Sequence, residues 1–172
     1  VICQTVISEG GYDLSSAGRP QCIGHTLGSP VSLVNGGATE VPLIAIRLKS
    51  NRQGGVILPT TFTVTPVGQA VYKYQIYVRA LTTGGTWVSA GATSSVEYNL
   101  SPSTLSSGIV AQSAFLNSTN QSNGGLANAD FPFQFQLERD SFTNTCYELV
   151  IACAATGNNQ NAYASINWVE LT

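Results

Sequence analysis

From Val71 to Gly91 the chain reads VYKYQIYVRALTTGGTWVSAG, with Tyr72, Tyr74, Ile76 and Val78 on one parity and Lys73, Gln75, Tyr77 and Arg79 on the other, until a Gly-Gly pair interrupts. Successive side chains of a strand point to opposite faces, so this alternation predicts a strand with one face buried. The same period recurs in TTFTVTP, where Phe62 and Val64 oppose Thr61, Thr63 and Thr65, and in PLIAIRLKS, which offers Ile44, Ile46 and Leu48 to a core and Arg47 and Lys49 to solvent. FPFQFQLERD is cleaner still, with Phe131, Phe133, Phe135 and Leu137 inward and Gln134, Gln136 and Glu138 outward. The terminal AYASINWVELT puts Ala162, Ala164, Ile166 and Trp168 on one face. No 3.6-residue stripe of useful length competes with this period.

Strands are expected near 2–8, 22–27, 31–34, 42–49, 56–66, 71–81, 86–90, 94–99, 108–115, 131–139, 146–155 and 162–171. Five Gly-Gly pairs, at Gly10-Gly11, Gly36-Gly37, Gly54-Gly55, Gly84-Gly85 and Gly124-Gly125, are natural turns because glycine tolerates positive φ. Many short strands separated by Gly and Pro turns predict an all-β fold, an antiparallel β-sandwich of jelly-roll-like type, in one domain over residues 1–172. The polar segment NSTNQSNGGLANAD, Asn117 to Asp130, is expected to be a prominent strandless loop.

Composition refines this picture. Only 9% of the 172 residues are charged, against about 25% in an average globular chain. Ser, Thr, Asn and Gln together number 57 and supply the wet surface instead, which suits an extracellular or particle-borne β-protein. A formal charge of -2 and seven scattered Lys and Arg leave no basic footprint for nucleic acid. The longest apolar run, LVIACAA from Leu149 to Ala155, is far shorter than the roughly 18 residues of a membrane span. The chain lacks Met, and is expected to be a piece of something longer, with residues 1–12 the exit from an upstream domain.

Chemistry is sparse. The one imidazole, His25, sits in CIGHTLG with no GxSxG elbow elsewhere to complete a nucleophilic site, so a turn or surface role is expected. Glu138 and Asp140 are an i,i+2 carboxylate pair, but Arg139 lies between them and a wet outer face explains them better than glycoside hydrolysis. Cys3, Cys22, Cys146 and Cys153 show no metal spacing. Cys146 and Cys153, seven apart in one expected strand, point to opposite faces and should not bond; Cys153 reads as core. A Cys3–Cys22 disulfide is the candidate bridge, with four free thiols as the alternative. No catalytic residue, cofactor site or metal site is expected.

The candidates that remain are contact residues: Tyr77, which falls on the polar parity of its strand, Trp87, and Asn117, Asn120 and Asn123 of the polar segment. Asn99, Asn117 and Asn120 also head glycosylation sequons, which so Asn- and Ser-rich a chain produces by chance. Exposed aromatics fit a subunit interface better than a stacked sugar.

Several blocks taken together, ICQTVISEGGY (2–12), PLIAIRLKS (42–50), VILPT (56–60), GGTWVSAGATSSVEYNLSPSTLSSG (84–108), FQFQLERDSFTNTCYELVIACA (133–154) and AYASINWVELT (162–172), resemble virion structural proteins of tailed bacteriophages, including cyanophages. In that group such a module stands near the C-terminus of a decoration or fibre-like protein. The resemblance covers nearly the whole chain and carries no catalytic residues. It implies a non-enzymatic protein on the particle exterior, a capsid decoration or cement protein or a head or tail fibre module, assembled as a homotrimer and touching other virion proteins. The alternative expectation is a receptor-binding, lectin-like head that recognises host surface glycans. A secreted adhesin or pilus-tip domain fits the composition but not the blocks, and an enzyme ranks last. Cys22 and Cys146 are not positions where the pattern leads one to expect cysteine.

Overall fold

The computed structural model describes residues 18–33, 39–52, 54–118, 127–130, 136–140 and 142–171. Among these the chain forms β1 (Arg19–Gly24), β2 (Val31–Leu33), β3 (Val41–Leu48), β4 (Val56–Val67), β5 (Ala70–Thr83), β6 (Val88–Ser89), β7 (Val96–Asn99), β8 (Thr104–Ser118), β9 (Ala127–Asp130), β10 (Glu148–Ala155) and β11 (Gln160–Leu171), and no helix. The strands make two antiparallel sheets. One has the order β1-β11-β4-β9, with β2 also on β11; the other is six-stranded, β6-β7-β3-β10-β5-β8. Only Gly68, at φ 107, and Gln69 separate β4 from β5, which lie in opposite sheets.

The inner faces form the core predicted by the alternation. Phe62, Val64, Ala162, Ala164, Ile166 and Trp168 of one sheet pack on Ile44, Ile46, Tyr72, Tyr74, Ile76, Ile151 and Cys153 of the other. The Phe62 and Tyr74 rings cross the gap with centroids 5.6 Å apart and planes tilted by 58°, a favourable edge-biased aromatic contact. Tyr72 is fully buried, and its hydroxyl lies 2.8 Å from the Val67 carbonyl and 3.0 Å from Gln160 Oε1, so its polar end is satisfied at the rim.

Three expectations are corrected. The cleanest alternation, near 131–139, does not give a strand at 136–138; residues 131–135 lie outside the described residues. Leu137 is still buried, its N–H bonded to the Ile57 carbonyl at 3.2 Å, but only Arg139 bridges, to Cys146. The polar segment 117–130 is not strandless. Asn117 and Ser118 end β8, and 127–130 is β9, paired with Thr61–Val64. Finally, Cys146 lies outside β10, so it does not share a strand with Cys153. The expected strand at 2–8 and the expected domain exit at 1–12 lie outside the described residues.

Candidate functional site

The outer face of the six-stranded sheet gathers most of the residues with contact chemistry. Along β5, Tyr72, Tyr74 and Ile76 enter the core, so Val71, Lys73, Gln75 and Tyr77 turn outward. Register sets their neighbours. On the β10 side Tyr77 lies opposite Val150, Gln75 opposite Ala152 and Lys73 opposite Ala154; on the β8 side Gln75 faces Ser113, Lys73 faces Phe115 and Val71 faces Asn117. Ala45, Ala80 and Val150 are fully covered beneath Tyr77, Trp87 and Leu105, a second apolar cluster on this outer side. Central strand β10 is therefore buried on both faces, the usual reason for an unbroken apolar run such as LVIACAA.

Two polar groups flank that cluster. At one end Glu40 receives the Lys73 ammonium, Nζ to Oε1 2.8 Å, and a short hydrogen bond donated by the Tyr77 hydroxyl, which also lies 3.0 Å from Gln75 Oε1. Burial, then the Glu40 hydrogen bond and charge, raise the Tyr77 phenol well above its ordinary range, so it stays a donor. At the other end the Arg47 guanidinium lies 3.9 Å from the Trp87 ring centroid and pairs with Glu97 at 2.6 Å. Arg47 also reaches Glu148 at 3.8 Å; the Glu148 carboxylate accepts the Thr82 N–H at 2.9 Å and the Thr82 hydroxyl at 2.6 Å.

Beside Glu40 the face sinks into a hollow of about 570 Å³, lined by Thr39, Glu40, Lys73, Tyr77, Phe115 and Thr156 among others. Phe115 is 70% exposed and Val71 40%. An aromatic ring this open beside an ion pair offers an amphipathic surface suited to a partner with both apolar and hydrogen-bonding groups.

The structure brings together Tyr77 and Trp87, and places Asn117 exposed on the same face, across from Val71. Cys22 is exposed on β1 of the other sheet, and Asn120, Asn123 and Cys3 lie outside the described residues, so the Cys3–Cys22 pairing does too. Phe115, Val71, Lys73 and Glu40 were missed as contact residues. Parity marks Val71 and Lys73 as outward, but only the register of β5 on β8 sets Phe115 beside them.

The groups weighed for catalysis are held by structural partners. His25 Nδ1 accepts the Ala164 N–H at 2.9 Å, which leaves Nε2 to donate to the Leu100 carbonyl at 3.0 Å, so the ring bridges two segments. Glu138 takes a two-point contact from Arg79, at 2.6 and 3.1 Å. Asp140 accepts the N–H groups of Phe142 and Thr143 and the Tyr147 hydroxyl, and these bonds hold its carboxyl below the usual range. Burial pushes the Cys153 thiol up to about 12, as befits a core residue. Among the described residues no three His, Cys, Asp or Glu side chains are grouped so as to hold a metal ion.

Fold and surface together define an antiparallel β-sandwich with one contact-rich outer face. The chain matches no protein-family model, no curated protein and no solved structure.

Proposed function

We propose that the chain is a non-enzymatic virion structural protein of a tailed bacteriophage, exposed on the particle as a capsid decoration or cement protein or as a head or tail fibre module. The observation that carries an association role is the open apolar surface of Phe115 and Val71 on a sheet face whose charges are already paired. Arg19, Arg47, Lys73 and Arg79 are held in ion pairs within the chain, which reduces the charge this surface offers to a small charged substrate. The phage setting rests on the order and spacing of the resembling sequence blocks. The test is to raise antibody against the purified chain and label intact and density-purified particles. Regular labelling on the head or tail is the expected result; its absence from purified particles sinks the proposal.

The hollow beside Glu40 favours a second reading, a lectin-like head that stacks a sugar face on Phe115 while Lys73 and Glu40 bond its hydroxyls. A glycan array decides it. Silence is expected from the leading proposal, whereas binding that is lost in Phe115→Ala favours the second.

A further inference from the structure

We infer that β8 is a homodimerisation edge, on which residues 112–118 pair antiparallel with the same residues of a second copy about a two-fold axis at Phe115. The inference deepens the association role proposed above by naming its partner and register. Among the described residues β8 is the outermost strand of the six-stranded sheet, hydrogen-bonded on one side by β5. It is 15 residues long and none of its residues is buried. Its outer side, unpaired by any other described strand, thus presents a long row of backbone N–H and C=O groups able to template another strand.

Proteins blunt such edges with charge, proline or shortness. The other outer strands follow that rule: β6 has two residues, β2 has three, β9 has four and contains Asp130, and β1 contains Arg19 and Pro20. β8, TLSSGIVAQSAFLNS, has neither a charge nor a proline. That composition fits a contact with itself. About a two-fold axis the residue on the axis lies opposite its own copy and the same few neighbours recur on both sides, so a charge there would face its like. A head-to-tail contact would need a second edge of comparable length, and the described residues offer none.

Regularity fixes the register. β8 pairs with β5 without interruption from Ala70 opposite Ser118 to Ile76 opposite Gln112, and irregularly beyond, where Gly108 sits at φ 150. The straight stretch is therefore 112–118, centred on Phe115. Pairing about that centre sets Phe115 against Phe115, Ser113 against Asn117 and Ala114 against Leu116, each pair on one face. It covers the most exposed apolar side chain of the sheet with an aromatic cross-strand pair. The assembly unit is then a dimer, in place of the three-fold arrangement that the family resemblance implies.

Sedimentation of the full chain over a concentration series tests this, with a mass of twice 18.0 kDa expected. Phe115→Lys sets like charges directly opposite each other and should raise the dissociation constant by about 100-fold or more, while Phe115→Tyr keeps the dimer. In a Cys22→Ser background, Phe115→Cys should give an oxidised, disulfide-linked dimer that Cys22→Ser alone does not. A monomer at all concentrations, a trimer, or a dimer that Phe115→Lys leaves intact overturns the inference. So does a β8 occupied by a strand of another protein. The outcome is separable from the virion reading: a dimer with no particle labelling removes the latter alone, and labelled particles with a monomeric or trimeric chain remove the former alone.

Discussion

Glu170 and Glu148 are both almost fully buried, and their surroundings treat them in opposite ways. Burial opposes the charge of Glu170, but the Ser94 hydroxyl, the Ser95 N–H at 3.0 Å and the Trp168 indole N–H at 3.1 Å, with Arg19 nearby, outweigh it and hold the carboxyl below its ordinary range. For Glu148 burial wins over Thr82 and Arg47, and the carboxyl is raised. The signs follow by linkage. Glu170 contributes stability that is present above the unfolded carboxylate value, about 4.3, and lost as pH falls through its lower folded value. Glu148 contributes stability that is present below that value and lost as pH rises through its higher folded value. In urea unfolding at pH 7, Glu170→Gln should therefore cost about 2–4 kcal/mol, shrinking as the solution is acidified, whereas Glu148→Gln should flatten the loss on the rising side. Equal cost of Glu170→Gln at all pH values would refute this account. At this scale the sequence showed Tyr77 as an outward aromatic, because parity alone reveals it; that its partner is Glu40, 37 positions away, was invisible.

Among the elements, the turn at Gly84-Gly85 was legible because glycine adopts its positive-φ conformation, at φ 73 and 71, without the strain a side chain brings. A Cβ on Gly85 would also collide with Asn99 Oδ1 and the Ser101 carbonyl oxygen. Gly85→Ala should lower stability by about 2 kcal/mol or more by chemical denaturation, and Gly28→Ala, where nothing lies within 4 Å of the new methyl, by less than about 0.5. Equal effects at the two sites would contradict the turn geometry. β10 was legible as a strand from LVIACAA, since a central strand needs apolar side chains on both faces. At 136–138 the alternation misled because it records which side chains are buried, and Leu137 is; it does not record whether the backbone finds a ladder. The expected strand 108–115 fell short of β8 at both ends; Gly108 sits inside the strand at an irregularity.

For the molecule as a whole, the low charge content has a definite disposition. Arg19, Lys49 and Arg52 converge on the carbonyls of the 91–94 loop, between 2.6 and 3.3 Å, and the same loop supplies Ser94 to Glu170, so that these groups staple one sheet to the other. β8 itself carries no charged residue, so association along it should be carried by apolar contact and backbone pairing. Raising NaCl from about 50 to about 500 mM should then change the dimer dissociation constant by less than about threefold, measured by sedimentation. A steep salt dependence would point to an electrostatic contact instead.

Alternation and glycine spacing alone determined that the chain forms antiparallel strands and which side chains face the core, because the two-residue period is a local property of the backbone. Tertiary structure decided which strands are neighbours, and with that the outer cluster around Tyr77 and Trp87, the ion pair beside Phe115 and the open edge at β8. These depend on register between segments far apart in the chain, and no local period encodes it.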